Sequence, residues 1–236
     1  AFKWQDEQAE TVLREIEWSP SRTGLINPVA IFDPVDLEGT EVRRASVHNV
    51  SVLRGLKLGI GDRIRVYKAN MIIPQIAENL TKSGTAEPPA HCPVCGTETE
   101  IRKENDAETL YCVNPDCAIK RVKRFALMTS REAFHIDGLS ETTLEKLIQE
   151  GFIHRYADLF HLKRAEAGIA AMKGFGEASA AKLVEAAEKA RSMPLSRFVY
   201  GLGIPGVGVQ NAKVLAKAFH GDFAALRAAS AEALTE

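Results

Sequence analysis

The chain has 236 residues, 45% of them hydrophobic and 26% charged, with a formal net charge of -1. That length supports about one to two domains. A near-neutral total excludes a bulk polyanion binder, so affinity for DNA or RNA must come from local patches. No hydrophobic leader opens the sequence and no apolar run is long enough to cross a bilayer, so the expected setting is a reducing cytoplasm with no membrane partner.

In chain order, the first zone reads as short strands: Thr11 to Trp18, Asn27 to Asp33, Glu41 to Val47, Asp62 to Ala69 and Ile72 to Ala77. A helical turn is predicted near Ser51 to Leu56, and turns rich in Gly, Pro, Ser and Asp separate the strands. Five strands at this spacing predict a small closed β-barrel of the oligonucleotide-binding type over residues 9–81. Charge is uneven within it. Residues 1–50 carry five basic and nine acidic side chains, whereas residues 51–80 carry five basic ones, Arg54, Lys57, Arg63, Arg65 and Lys68, and two acidic. Asn49-Val-Ser51 and Asn79-Leu-Thr81 match the glycosylation acceptor pattern, which in a cytosolic protein is a chance match.

A linker containing Gly84 and Pro88-Pro89 leads into a segment, residues 82–120 with the linker, that holds all four cysteines: Cys92-Pro-Val-Cys95-Gly96 and Cys112-Val-Asn-Pro-Asp-Cys117. This is zinc-ribbon spacing. Two residues between Cys92 and Cys95 let a tight turn aim both sulfurs at one point, and Asn114-Pro115-Asp116 is strong turn chemistry for the looser second knuckle. Four thiolates complete a closed tetrahedral site with no open position for chemistry, so the expected metal is structural Zn2+ and His91 is a neighbour. The ribbon then serves as a rigid joint between its flanking domains. Two disulfides in a secreted domain are the alternative. The run Lys120-Arg121-Val122-Lys123-Arg124 that follows is either a solvated helix start or a phosphate contact.

From about Arg121 the pattern turns helical, with runs at Ser140 to Glu150, Ser179 to Ser192, Gln210 to Phe219 and Phe223 to Ala233 and no strand signal. An internal repeat lies here: Lys173-Gly174-Phe175-Gly176 and Pro205-Gly206-Val207-Gly208 each lead into a helix, the second of which bears Lys213. This is helix-hairpin-helix spacing. The glycines are expected to permit positive φ and to bare backbone N-H groups at the next helix start, a site that fits a phosphodiester without reading a base. A third copy, Ile136-Asp137-Gly138-Leu139-Ser140, has Ser140 in place of its second glycine. Gly201-Leu-Gly203-Ile-Pro-Gly206 satisfies the dinucleotide fingerprint, but no strand-length run precedes it and no βαβ unit surrounds it. Asp222 to Glu236 reads as the first helix of a further unit whose hairpin is missing.

The order of barrel, four-cysteine ribbon and repeated hairpins resembles the NAD-dependent DNA ligases of bacteria. Ser21-Arg22-Thr23-Gly24 with Asn27-Pro28-Val29-Ala30 is similar to the family's Gly-Arg-Thr-Gly and Thr-Pro-Val-Ala pair. Arg44-Ala45-Ser46-Val47-His48-Asn49 resembles Arg-Ala-Thr-Leu-His-Asn, Ile60-Gly61-Asp62 its Ile-Gly-Asp turn, and Lys68-Ala69-Asn70-Met71-Ile72-Ile73-Pro74-Gln75 its Arg-Ala-Gly-Asp-Val-Ile-Pro-Gln. Lys68 for Arg and Asn70-Met71 for Gly-Asp turn a bidentate contact into a single-point one. No Lys-x-Asp-Gly adenylation motif occurs. Ala1-Phe2-Lys3-Trp4 looks like the last nucleotidyltransferase motif, whose lysine contacts the adenylate phosphate, so residues 1–8 resemble the end of an adenylation domain and residues 121–236 an incomplete hairpin domain.

The resemblance implies a parent enzyme that seals nicks in replication and repair, passing AMP from NAD through a lysine to a 5'-phosphate with Mg2+ assistance; the fragment alone is expected to be inactive. It implies a monomer that engages nicked duplex DNA independently of sequence, in the bacterial cytoplasm and at the nucleoid. Expected contacts are Arg22, Thr23 and Lys68, Ile72 and Ile73 against the minor groove, and the hairpin glycines Gly174, Gly176, Gly206 and Gly208 with Lys213. His48 reads as a local hydrogen-bonding residue. A hairpin-and-ribbon repair nuclease or junction scaffold, and a zinc adaptor binding only proteins, are the other classes; the nuclease needs a carboxylate cluster.

Overall fold

The structure is a computed structural model that describes residues 7–234, so Lys3 lies outside the described residues. Two compact units divide at Lys120 and Arg121. The first is built from β1 (Gln8–Pro20), β2 (Leu25–Leu37), β3 (Thr40–Ser46), α1 (Val50–Gly55), β4 (Arg63–Ala69), β5 (Ile73–Asn79), β6 (Thr99–Glu104) and β7 (Ala107–Cys112).

The two long strands of this unit, β1 and β2, serve two and three neighbours respectively. The first part of β1, Gln8 to Val12, pairs antiparallel with β4, and from Leu13 the strand pairs with β2, with a register break between Leu13 and Glu15. β2 breaks register against β3 between Ile31 and Val35. Such bulges bend a strand and raise its twist, which lets a sheet curl onto itself. With β4 on β5 and a parallel pairing of Ser46 with Gln75, the order β1-β4-β5-β3-β2 closes through β1 and β2. Leu13, Ala30, Phe32, Leu37, Val42, Ala45, Leu53, Ile64 and Val66 fill the interior.

Alternation along β4 decides the fate of its charges. Ile64, Val66 and Lys68 point inward while Arg63, Arg65 and Tyr67 point out. Lys68 is therefore 7% exposed, and its ammonium donates to the Leu37 carbonyl at 2.8 Å. The expected single-point phosphate contact at Lys68 is corrected: a one-residue register places its stem among apolar side chains and turns its charge onto backbone.

Asn79 closes the barrel below α1. It is 1% exposed; its Nδ2 donates to Leu56 O, Lys57 O and Asp62 Oδ2, and its Oδ1 accepts from Thr81 N and Lys82 N. At the other acceptor-pattern asparagine, Asn49 Oδ1 accepts from Val52 N and caps α1. Both asparagines are thus held by internal hydrogen bonds, Asn49 locally and Asn79 across the barrel.

The ribbon adds a hairpin that cysteine spacing did not anticipate. β6 and β7 pair from Thr99↔Cys112 to Glu104↔Ala107 across a two-residue turn, Asn105-Asp106, with φ of 48° and 64°. Both central residues of a type I′ turn need that left-handed backbone, and Asn and Asp tolerate it well. β7 then pairs with the start of β2, Leu25 with Tyr111 and Ile26 with Leu110, so the ribbon continues the barrel sheet.

The second unit holds α3 (Glu141–Gln149), a 3₁₀ segment (Tyr156–Ala165), α4 (Glu166–Ala171), α5 (Glu177–Lys189), α6 (Leu195–Gly201), α7 (Val209–Ala218) and α8 (Phe223–Ala228), preceded by α2 (Ala118–Thr129), whose first turn belongs to the first unit. Its main core includes Phe125, Met128, Ile136, Leu144, Leu147, Ile153, Leu159, Leu183 and Val184. Gly201 ends α6 rather than following a strand, and a Cβ there would meet Met128 Sδ at 3.0 Å. The G-x-G-x-x-G match is accordingly a helix end and packing glycine. α8 is shorter than the run to Ala233 predicts, because Ala229 leaves helical geometry and none of its residues is buried.

Replacing Asn79 with Ala removes the donors and acceptors of five buried or half-buried groups, so the first unit should lose at least about 1–3 kcal/mol. Urea unfolding followed by circular dichroism checks this, and an unchanged midpoint would refute the closing role.

Candidate metal centre and nucleic-acid interface

The four cysteines converge. Gly96 N donates to Cys92 O at 2.9 Å, closing the first knuckle as a turn, and Gly96 itself takes φ +70°. In the second knuckle Asn114 Oδ1 accepts from Asp116 N at 2.9 Å. The result places all four sulfurs within 4.8 Å of one another, with Cys92, Cys112 and Cys117 buried and Cys95 half-buried. All four are free cysteines, and Cys95 Sγ lies 3.6 Å from Cys112 Sγ. A disulfide needs about 2.05 Å; the edge of a zinc tetrahedron with bonds near 2.3 Å is about 3.8 Å. The residues therefore fit Zn2+, and the disulfide alternative is set aside.

Electrostatics agree with a metal-dependent site. Burial pushes the Cys112 thiol up to about 12 and raises Cys117, whereas the Thr97 side chain beside Cys95 lowers that thiol to about 6. Without metal, at least Cys112 and Cys117 hold their protons at neutral pH. A bound divalent cation supplies the positive charge that lets these sulfurs ionise together. Among the described residues, the four cysteines are the one group of three or more His, Cys, Asp or Glu placed to hold a metal ion. The carboxylate cluster that a metal-dependent nuclease needs is not assembled there.

The ribbon leans on the barrel through Ile26, Val50, Leu110 and the cysteines themselves. Arg54 of α1 pairs with Glu108, and Ser51 Oγ accepts from Glu108 N at 2.8 Å. Other basic side chains of residues 51–80 are also engaged locally: Glu10 accepts from Arg65 and Arg63, which hold its carboxyl below the usual range, and Arg65 also reaches Glu78. The basic character of that stretch is largely neutralised on the barrel surface.

The other expected barrel contacts occupy two loops. Arg22 and Thr23 form the turn between β1 and β2, Arg22 half-buried and Thr23 exposed with its hydroxyl 2.9 Å from Ser21 Oγ. Gly24 takes φ +97° at the turn's end. Between β4 and β5, Asn70 and Met71 both take left-handed backbone, leaving Met71 and Ile72 more than 70% exposed and Ile73 half-exposed. The result is an exposed apolar tip on a three-residue loop. His48 takes φ +63° and its backbone N donates to Ser46 Oγ, a local turn role.

In the second unit the repeats form true hairpins. Gly174 and Gly206 adopt φ of +87° and +78°, while Gly176 and Gly208 are extended N-caps of α5 and α7 with no side-chain cap. The expectation that both glycines of each pair supply positive φ is thus corrected, because only the first makes the turn. A Cβ on Gly176 or Gly208 would meet nothing within 4 Å. Glycine at those caps is required neither by backbone nor by internal packing; it leaves the helix N-terminus open to an approaching group. Phe175 and Val207, between the glycines, pack into the cores, and Lys213 is exposed on α7. The third copy differs: Gly138 takes φ +86°, but Ser140 Oγ accepts from Thr143 N and caps α3 itself.

Lys146 was missed by the sequence reading. From α3 it donates to Lys173 O at 3.1 Å, and its ammonium lies 3.6 Å from the Cβ position of Gly174. Sequence distance hid it, since 27 residues separate the partners. The Lys120-to-Arg124 run is in part structural: Lys120 donates to Cys112 O and Asn114 O, and Arg121 to His154 O.

Residues 10–88 match the NAD-dependent DNA ligase OB-fold domain, and residues 91–118 the NAD-dependent DNA ligase C4 zinc finger domain. Residues 130–189 match a SAM-like helix-hairpin-helix tandem and residues 197–236 a helix-hairpin-helix motif. The chain is 56% identical over its whole length to a DNA ligase of Lachnoclostridium phytofermentans, covering 36% of that protein. It is 56% identical over 94% of its length to a DNA ligase of Ruminiclostridium cellulolyticum and 38% identical over its whole length to one of Thermosipho africanus, covering 34% and 36% of those chains. It thus spans about a third of the length of the relatives it matches.

Two outcomes follow for the metal. A strong chelator should release about one zinc per chain and abolish amide protection in β6 and β7; no zinc and no change would exclude the site. Because binding must displace protons from at least Cys112 and Cys117, apparent zinc affinity should rise by about a hundredfold or more between pH 6.5 and 7.5, measured by competition with a chelator of known proton dependence. A pH-independent affinity would contradict it.

Proposed function

We propose that this chain, whose residues 10–88 and 91–118 match the OB-fold and C4 zinc-finger domains of NAD-dependent DNA ligases in order, is the DNA-engaging part of such a ligase, an enzyme that seals 5'-phosphate/3'-hydroxyl nicks. In the whole enzyme NAD supplies the adenylate and Mg2+ assists phosphoryl transfer. This chain's residues bind and orient. Its setting is the bacterial cytoplasm, with nicked duplex DNA as partner, and it acts as a monomer.

The observation that carries the proposal is the pair of uncapped helix starts behind Gly176 and Gly208, each with open space where a side chain would stand. A phosphodiester oxygen accepts from bare N-H groups there, assisted by the positive end of the helix dipole. Lys146 beside the first hairpin and Lys213 on α7 add charge without reading bases. On the barrel, Arg22 and Thr23 take polar contacts, while Ile72 and Ile73 press on the shallow groove where a nick exposes it. Holding both ends in place lowers the entropic part of the barrier to in-line attack.

Neutralising about six phosphates should give a slope of roughly -5 for log affinity against log salt concentration. A slope near zero would contradict phosphate binding. Gly176→Asp and Gly208→Asp supply favourable N-caps, so helix content should hold or rise, while duplex binding should fall as carboxylate meets phosphate. Unchanged binding in both variants would reduce the hairpins to ordinary turns.

A further inference from the structure

Lys120 is a buried cation whose ammonium is bonded to backbone carbonyls. Only 4% of it is exposed, and its ammonium donates to Cys112 O at 2.6 Å and Asn114 O at 2.8 Å. Lysine is almost never fully buried unless its charge is compensated. Compensation is at hand in the ribbon, since four thiolates around a divalent cation leave two net negative charges and Lys120 is hydrogen-bonded to the backbone of one of those ligands. That makes it part of the shell behind the metal ligands, where orientation is set.

The same lysine also touches the barrel. A Cβ on Gly24 would stand 2.6 Å from Cys112 O and 2.7 Å from both Cε and Nζ of Lys120, so backbone, knuckle and lysine meet with no room for a side chain. The contact is bonded as well as close, because Cys112 N donates to Gly24 O at 2.8 Å. Gly24 N in turn donates to Ser21 O at 3.0 Å, and Ser21 N to Leu25 O at 2.7 Å. The Arg22-Thr23 turn is therefore held from behind by a path that starts at a metal ligand: Cys112, then Lys120 and Gly24, then the turn. Glycine at residue 24 is required twice, by its φ of +97° and by this approach.

We propose that Lys120 is a positioning residue, which transmits the metal-held geometry of the Cys112 knuckle to the Arg22-Thr23 turn so that zinc occupancy sets the posture of a DNA-contacting loop on the barrel. The ribbon is then a conformational support for a binding element as well as a fold stabiliser. The part concerning DNA rests on the ligase reading above; the part concerning the turn does not.

The test uses the whole zinc-loaded chain and three variants, Lys120→Met, Gly24→Ala and Arg22→Ala, with metal analysis, hydrogen exchange and binding to a nicked duplex. Lys120→Met should keep one zinc, while the amides of Gly24 and Cys112 exchange about tenfold faster or more, towards the rates of the chelated wild type. Nicked-duplex affinity should fall by about tenfold, and combining it with Arg22→Ala should add little, since the two act on one contact. Gly24→Ala moves the turn from the other side and should reproduce both effects without altering any charge. Loss of zinc from Lys120→Met would mean that the lysine builds the metal site rather than transmitting from it, and would overturn the proposal. So would unchanged exchange in the 21–25 segment, or affinity losses that add. Failure of the wild type itself to bind nicked duplex would count against the ligase reading, leaving exchange to decide the coupling.

Discussion

A ribbon of about thirty residues cannot bury a core of its own, and the organisation of the first unit follows from that constraint. Metal supplies the missing folding energy, of the order of 10–16 kcal/mol for a structural zinc site, but only if four sulfurs are brought together. The barrel supplies the remaining surface. β7 lies along the start of β2, Ile26 and Val50 complete the small core around Cys92, Cys112 and Cys117, and α1 grips Glu108. Barrel and ribbon thereby stabilise each other, and the turn that carries Arg22 sits at their seam.

Placement of charge follows from the same geometry. In a strand, one register decides whether a basic side chain meets solvent or core, and β4 places Lys68 inside while Arg63 and Arg65 pair with Glu10 and Glu78 outside. Little free positive charge is left on that face. Phosphate binding, as proposed, therefore rests on backbone N-H groups at uncapped helix starts, with Lys146 and Lys213 as supplements. A near-neutral chain can hold a polyanion in this way because the donors are dipoles fixed by the fold.

Much of this was legible in the sequence. All five barrel strands and α1 could be placed from alternation and turn residues, and the cysteine spacing located the metal centre. What escaped had physical causes. Lys68 was misassigned because a family motif outweighed the Ile64-Val66-Lys68 alternation, which was there to be read. The β6–β7 hairpin was hidden behind the knuckles, although Asn105-Asp106 between two alternating runs is a turn signal. The positive φ expected of all four hairpin glycines holds for Gly174 and Gly206 only, because a helix N-cap is extended backbone that any residue adopts; glycine there answers to space outside the chain. Lys146 acts on a carbonyl 27 residues away, and no local pattern announces it; Lys120 stands in a basic run that the sequence does show, but its inward turn onto Cys112 O and Asn114 O is not legible there.

The most direct measurement of the central claim is an amide chemical-shift titration of the zinc-loaded chain with a short nicked duplex. Shifts should concentrate at the helix starts following Gly176 and Gly208 and at the Arg22-Thr23 turn, fading together as salt is raised. Shifts confined to other surfaces, or none at any duplex concentration, would contradict it.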